Sequence, residues 1–337
     1  MCKYLIIFIL GWCTLACGAT ASRGETGAIP DAVNSENASD GEPSVRDLSM
    51  APLAFGWTAP SRAIVRDTTK KKGKRAKIEY VIDFRHGDSS GGYILQISDF
   101  RFLEYEGQKV EGALAEQLKS VTAMSGIIPP LQISPQGAYD GLPDGFSMNQ
   151  ILTKMREGAL KDVPQEVWQS METLMSDPGF EATAVAAAGD FWRIWVESWV
   201  GFDGRKGEDV TRTSEVQLGK DLVSPVNIHM RNEGTDNQAK GLIRLTMRAV
   251  QDNPALVEFT VAALKAFATG NPESESATNA FVASIEKVRK TVEVTAVLHA
   301  ADLRPVDVKS KEINSVTTKD GRTQDRIDTH HYTFEWQ

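Results

Sequence analysis

Phe180 to Gly201 reads FEATAVAAAGDFWRIWVESWVG, and the fold turns on how this stretch is interpreted. The pattern predicts a helix with a kink at Gly189. Trp192, Trp195 and Trp199 recur at i, i+3 and i+7. At 100° per residue, these offsets bring the three rings within roughly 60° of one another on a single face. Val196 fills the same stripe, and Gly201 supplies a C-terminal stop. Arg193 and Glu197 lie off the stripe, so the expectation is a helix with one side for water. Three tryptophans in one patch need a cover. Core packing against a sheet is the first reading of Trp192, Trp195 and Trp199. The lining of a site for an apolar or sugar ligand is the second, and contact with a membrane interface is the third. Tyr332, Phe334 and Trp336 alternate on a predicted strand and offer an opposing aromatic face.

Working outward, the tryptophan helix closes a helical block at 147–204. Met148, Ile151, Leu152 and Met155 form an amphipathic stripe, Asp162 with Gln165 has the spacing of a capping box, and Trp168, Met171 and Met175 follow. Upstream, 49–146 is rich in strand patterns. Ala63 to Thr69 forms one, Ile78, Tyr80, Ile82 and Phe84 alternate along the next, and Tyr93, Leu95 and Ile97 along a third. A helix near 108–124 and a short hairpin, LQISPQGAYDGL, complete this half. Downstream, 205–337 carries strands at 210–218, 226–230 and 242–250, a helix start at Asn253-Pro254 with the helix over 256–267, a polar loop at 271–277, a helix over 277–285, and long strands at 288–299, 303–317 and 323–336. The fold class expected is α+β: antiparallel β-sheets flanking a central helical block, with a curved or half-barrel sheet as one form and two similar halves as another. The pattern resembles the curved antiparallel sheet plus helices of periplasmic lipoprotein-handling proteins, a likeness of architecture alone.

The first residues are MCKYLIIFILGWCTLACGATAS, with Lys3 their only charge. Tyr4 to Ala16 is an apolar run of about 13 residues, shorter than the roughly 20 needed to span a bilayer and of a length suited to the core of a secretory signal. Thr14-Leu15-Ala16-Cys17 resembles the lipobox of bacterial lipoproteins, in which the cysteine is lipidated and becomes the first residue. Ala16 and Cys17 fit that pattern; Thr14 and Leu15 depart from its preferences for Leu and for Ala or Ser. The resemblance implies a signal peptide at 1–16, a lipid on Cys17 and a membrane as partner. With Gly18 rather than Asp after the cysteine, it implies the outer membrane, facing the periplasm or the cell surface. Cleavage after Ala21, giving a soluble secreted or periplasmic chain, is the rival reading, and an uncleaved anchor is the third. Cys2, Cys13 and Cys17 are the only cysteines, so the body holds no disulfide, no cysteine nucleophile and no cysteine zinc site. Residues 17–48 read as the lipidated N-terminus and a disordered tether, 22–48 being small, polar and acidic, with the ordered body starting near residue 50.

Without Lys3 the mature chain carries 36 basic against 45 acidic residues, a balance of −9, which argues against nucleic acid as a partner. Lys70, Lys71, Lys72, Lys74 and Arg75 form the one dense basic patch. It reads as a solvated hairpin tip or, alternatively, as a contact for a polyanion such as lipid phosphates. His86-Gly87-Asp88-Ser89-Ser90-Gly91-Gly92 is a glycine-rich loop; it resembles the nucleophile motif of trypsin-like proteases but carries an inserted serine. The five histidines make no His-Glu-x-x-His, and adjacent His330 and His331 point to opposite faces of a strand. No phosphate-binding loop is present, and no cofactor or metal site is expected. The reading is a non-enzymatic envelope lipoprotein that binds an envelope protein or an apolar ligand, with an envelope-acting hydrolase as the alternative.

Overall fold

The computed structural model describes residues 52–87, 91–125, 128–157, 185–218, 222–235, 241–268 and 272–337, together with Gln165 and Trp168. Twelve strands form one open antiparallel sheet. They are β1 (Ser61–Lys71), β2 (Lys74–His86), β3 (Tyr93–Tyr105), β4 (Gln108–Lys109), β5 (Leu131–Ile133), β6 (Tyr139–Gly141), β7 (Asp209–Gln217), β8 (Val223–Thr235), β9 (Leu242–Gln251), β10 (Ile285–His299), β11 (Pro305–Thr318) and β12 (Thr323–Trp336). The order across the sheet is β6-β5-β3-β2-β1-β12-β11-β10-β9-β8-β7, with β4 paired to β3 off this path.

Alternation sets the faces. Along β8 every second residue is buried, from Ser224 through Val226, Ile228, Met230 and Asn232 to Gly234, while the intervening side chains face water. The same parity carries Ala63 and Val65 on β1, Ile82 and Phe84 on β2, Val294, Ala296 and Leu298 on β10, and Val308 on β11 into a single core. The first and last strands pair directly, Ala63 with Trp336 through Lys70 with Thr329. Between β1 and β2 the turn residues Lys72 and Gly73 both have positive φ, 51° and 79°, the conformation of a tight hairpin turn that matches strand twist.

The expected α+β class holds in its coarse form, mostly antiparallel sheet with few helices, while the expectation of sheets flanking a central helical block gives way to one open sheet. β6 lies at one edge of the sheet and β7 at the other, ten inter-strand steps apart in the strand order. Among the described residues the stretch that joins them forms no central helical block. Its described helices are short: α2 (Met148–Glu157), α3 (Asp190–Trp195) and a 3₁₀ turn at Glu197–Trp199. Asp162, Met171, Met175 and 180–184 lie outside the described residues, as do the side chains of Met148, Leu152 and Met155.

Two helix boundaries also differ, while the helix start expected at Asn253-Pro254 is found. α1 spans Gly112–Ser125, and Gln108–Lys109 ahead of it is strand β4. α4 spans Pro254–Ala268, its start capped by Asn253, whose side-chain oxygen accepts the Leu256 N–H at 3.3 Å. α5 begins at Pro272 and runs to Ser284, taking in most of the stretch expected as a loop. Proline at the first position, with Glu273 and Glu275 just behind it, favours a helix start and outweighs the serines. No helix among the described residues is long and apolar enough to cross a membrane.

Candidate functional site

The tryptophan segment does bend at Gly189. Residues 185–188 are helical, Gly189 is a turn, and α3 follows. The bend exists because a ring occupies the space a side chain would need. A Cβ on Gly189 would lie 2.3 Å from Cδ1 of Tyr139, which is itself tied down by a hydrogen bond from its hydroxyl to the Val185 carbonyl at 2.7 Å. Gly189→Ala is therefore expected to destabilise the fold by about 1–3 kcal/mol, the range for overpacking, although alanine is the better helix former. Urea unfolding checks this, and a neutral or stabilising effect would place Tyr139 elsewhere.

α3 ends at Trp195 rather than running on, because Val196 leaves the helical region at φ −138°, ψ −59°. The 3₁₀ turn then buries Trp199, whose indole N–H donates to the Ile194 carbonyl at 3.1 Å. Trp192, Trp195, Val196 and Trp199 are all 0 % exposed. Trp195 packs edge-on against Tyr332 at 5.3 Å and Phe334 at 5.0 Å on β12. Trp192 meets Trp57 at 5.0 Å, and Trp57 meets Trp336 at 4.7 Å. The partners Phe55 and Trp57 come from an extended segment that the sequence reading missed. It is clipped to the end of the tryptophan segment by Leu53 N–H to Phe202 O, 2.9 Å, and Gly201 N–H to Leu53 O, 2.7 Å.

The side of α3 expected to face water does not. Arg193 is 4 % exposed and Asp190 7 %. The guanidinium donates through Nη1 to Asp190 Oδ1 at 2.5 Å and to the Ala186 carbonyl at 2.9 Å, and its charge centre lies 5.5 Å from the centre of the Tyr139 ring. Glu197 lies 3.9 Å from Arg193 Nε. Burial raises the Glu197 pKa, and burial pushes Asp190 up to about 7 against the opposing pull of Arg193 and Lys290. On the sheet beneath, Lys290 of β10 pairs with Glu312 of β11 at 3.3 Å, and Asn314 donates to Glu312 at 2.6 Å. The helix is thus covered on both sides, by rings on one and by charges on the other.

Those charges belong to a polar row on the core face. Toward β1 it continues with Asp328 and His330 of β12 and with Asp67 and Thr69 of β1. His330 Nδ1 bonds Asp67 at 2.9 Å on the core face, whereas His331 bonds Asp307 at 2.5 Å on the opposite face. Ser310 stands directly opposite His330 across β11 and β12, yet among the described residues no hydrogen bond joins them. Sequence reading places His330 and His331 on opposite faces of a strand, as found, but singles out no other member of this row. Its signal was available: Asp67 and Thr69 continue the buried parity of Ala63 and Val65, which a solvent-facing pair would break.

Lys70, Lys71, Lys72, Lys74 and Arg75 sit together at the β1–β2 tip, all but the half-buried Lys71 exposed. Lys74 reaches the Tyr105 hydroxyl at 3.3 Å, and burial together with Arg326 lowers the Lys72 pKa. Gly87 closes its loop by donating to the Gly92 carbonyl at 2.9 Å; Asp88, Ser89 and Ser90 lie outside the described residues, as does Cys17. Among the described residues no group of three or more acidic, histidine or cysteine side chains is placed to hold a metal ion. No family model matches this chain, and no curated protein sequence matches it.

Proposed function

We propose that this chain is an exported lipoprotein of the cell envelope, held to the outer membrane by lipid on Cys17, whose body binds an apolar ligand without catalysing a reaction. The observation that carries the binding half of this reading is α4. Its sequence, PALVEFTVAALKAFA, has one acid and one base in 15 residues, so it is apolar around nearly its whole circumference. A helix of that composition is normally buried. Among the described side chains of this helix only Leu256 is buried, while Val257, Phe259, Val261 and Leu264 pack against the core with part of their surface still open. An apolar cover half-engaged with the core face of a sheet suits a protein that admits an apolar guest beneath it. Right-handed twist accumulated over ten strand steps would curl such a sheet into the half-barrel form. The hydrolase alternative rests on Ser310 facing the His330–Asp67 pair, and the missing Ser310–His330 hydrogen bond weighs against it.

The test uses the Cys17→Ser chain, expected to leave the membrane fraction, so that no detergent competes with the probe. An environment-sensitive naphthylamine dye should bind it saturably, and Phe259→Ser should weaken that binding while the thermal melt stays cooperative. Dye binding that is absent, or indifferent to Phe259→Ser, would overturn the binding claim. Retention of the Cys17→Ser chain in membranes would overturn the anchor.

A further inference from the structure

Four carboxylates are buried among the described residues: Asp67, Glu79, Asp190 and Asp328. Three of them carry a permanent cation. Glu79, on the outer face, bonds Arg66 at 2.8 Å and also Arg101. Asp190 bonds Arg193 at 2.5 Å, and Asp328 bonds Arg326 at 2.6 Å. Asp67 has only the imidazole of His330 against its Oδ2. Its other oxygen, Oδ1, and the hydroxyl of Thr69 two residues along the same face are buried with no hydrogen-bond partner among the described residues. Asp67 is 6 % exposed and Thr69 8 %, so each is more than nine-tenths buried. A buried carboxylate oxygen without a donor is costly, and two such acceptors side by side call for a group rich in donors.

The surroundings restrict what that group is. Tyr332 stands directly opposite Asp67 across the seam, and His330 opposite Thr69. The His330 and Tyr332 rings stack at 5.3 Å with 7° between their planes. Tyr80 lies on the other side, opposite Val65. Burial, reinforced by the Asp67 charge, raises the pKa of both phenols well above the usual value, so they stay neutral. Aromatic side chains beside an acceptor pair favour a cation, and an ammonium carries three donors and no acceptor.

We propose that the core face of the β1–β12 seam binds a primary ammonium group, with Asp67 and Thr69 accepting its N–H donors and Tyr80, Tyr332 and His330 walling it. The site is independent of an apolar guest under α4. Its chemistry is shared by soluble amines and by amine-bearing lipid headgroups.

The test follows the His330 ring signals by NMR on the Cys17→Ser chain as ethanolammonium chloride is added, with sodium chloride at equal ionic strength as reference. A saturable shift specific to ethanolammonium is expected. Asp67→Asn should weaken it by about tenfold or more, as for loss of a charge-assisted hydrogen bond, and Thr69→Val by a fewfold. Both variants keep the side-chain shape, and an unchanged melting curve confirms the fold. Tighter capture by phosphatidylethanolamine vesicles than by phosphatidylglycerol vesicles assigns the site to a headgroup; equal capture assigns it to soluble amines. A response no larger than that to sodium, or one that survives Asp67→Asn, overturns the proposal and leaves the two oxygens to ordered water. Equal binding of tetramethylammonium overturns the donor pairing.

Discussion

Trp195→Ala is expected to cost about 3–5 kcal/mol of folding stability, the range for removing a large aromatic from a packed core. The ring is wholly buried and sits within 5.3 Å of three others: Phe191 at 4.7 Å, Phe334 at 5.0 Å and Tyr332 at 5.3 Å. It therefore joins α3 to β12, the strand that pairs with β1. Losing it opens a cavity at the seam that holds the two ends of the chain together. Trp195→Phe should cost less. It retains a ring and removes the indole Nε1, which is buried without a hydrogen-bond partner among the described residues. Urea unfolding of both variants makes the comparison. A cost below about 1 kcal/mol for the alanine would mean the ring lies in a site that repacks or opens, contrary to the packing described.

Arg193→Met is expected to cost a comparable 3–5 kcal/mol, because it leaves the Asp190 carboxylate buried with its charge unpaired. This cost depends on pH, and the sign is determinate. Burial raises Asp190 from its ordinary 3.8 to about 7 in the folded chain, so the folded state holds the proton more tightly than the unfolded state does. The stability this supplies is full below pH 4 and is lost as pH rises through 7. Wild type should thus lose stability relative to Asp190→Asn as pH climbs across that window. In Arg193→Met, desolvation acts with less opposition, so the loss should extend to higher pH and the variant should be least stable above pH 8. A wild type whose stability relative to Asp190→Asn rises with pH across the same window would show that Arg193 outweighs burial.

The parts of the fold legible in the sequence are those set by local pattern. Period-two alternation identifies the long strands, with 323–336 matched at both ends, although it stops eight residues short of the end of β3 and covers only the middle of β8. The tryptophan spacing located a buried face, and Gly189 its bend. What local pattern lacks is a partner. Alternation says that Ala63 and Trp336 each lie on a strand, but nothing near either residue says that those strands adjoin, so the sequence leaves one curved sheet and two similar halves both open. The same gap explains Arg193. A charge off an apolar stripe reads as solvent-facing until Tyr139, Asp190 and the Lys290–Glu312 pair are known to lie around it. Asp67 illustrates the converse. Its place in a buried parity was visible in sequence, whereas its lack of a cation became visible only when β12 supplied His330.

The pairing of the first strand with the last is the claim on which both sites depend, since it places Trp195 over Tyr332 and Asp67 beside His330. Native-state hydrogen exchange at low urea measures it directly, through the backbone amides at 63–70 and 329–336. If β1 and β12 form one seam, the two sets should exchange with the same opening free energy, and Trp195→Ala should lower both by the same amount. If they open with different free energies, or if Trp195→Ala moves one set alone, the strands belong to separate sheets and the account is wrong.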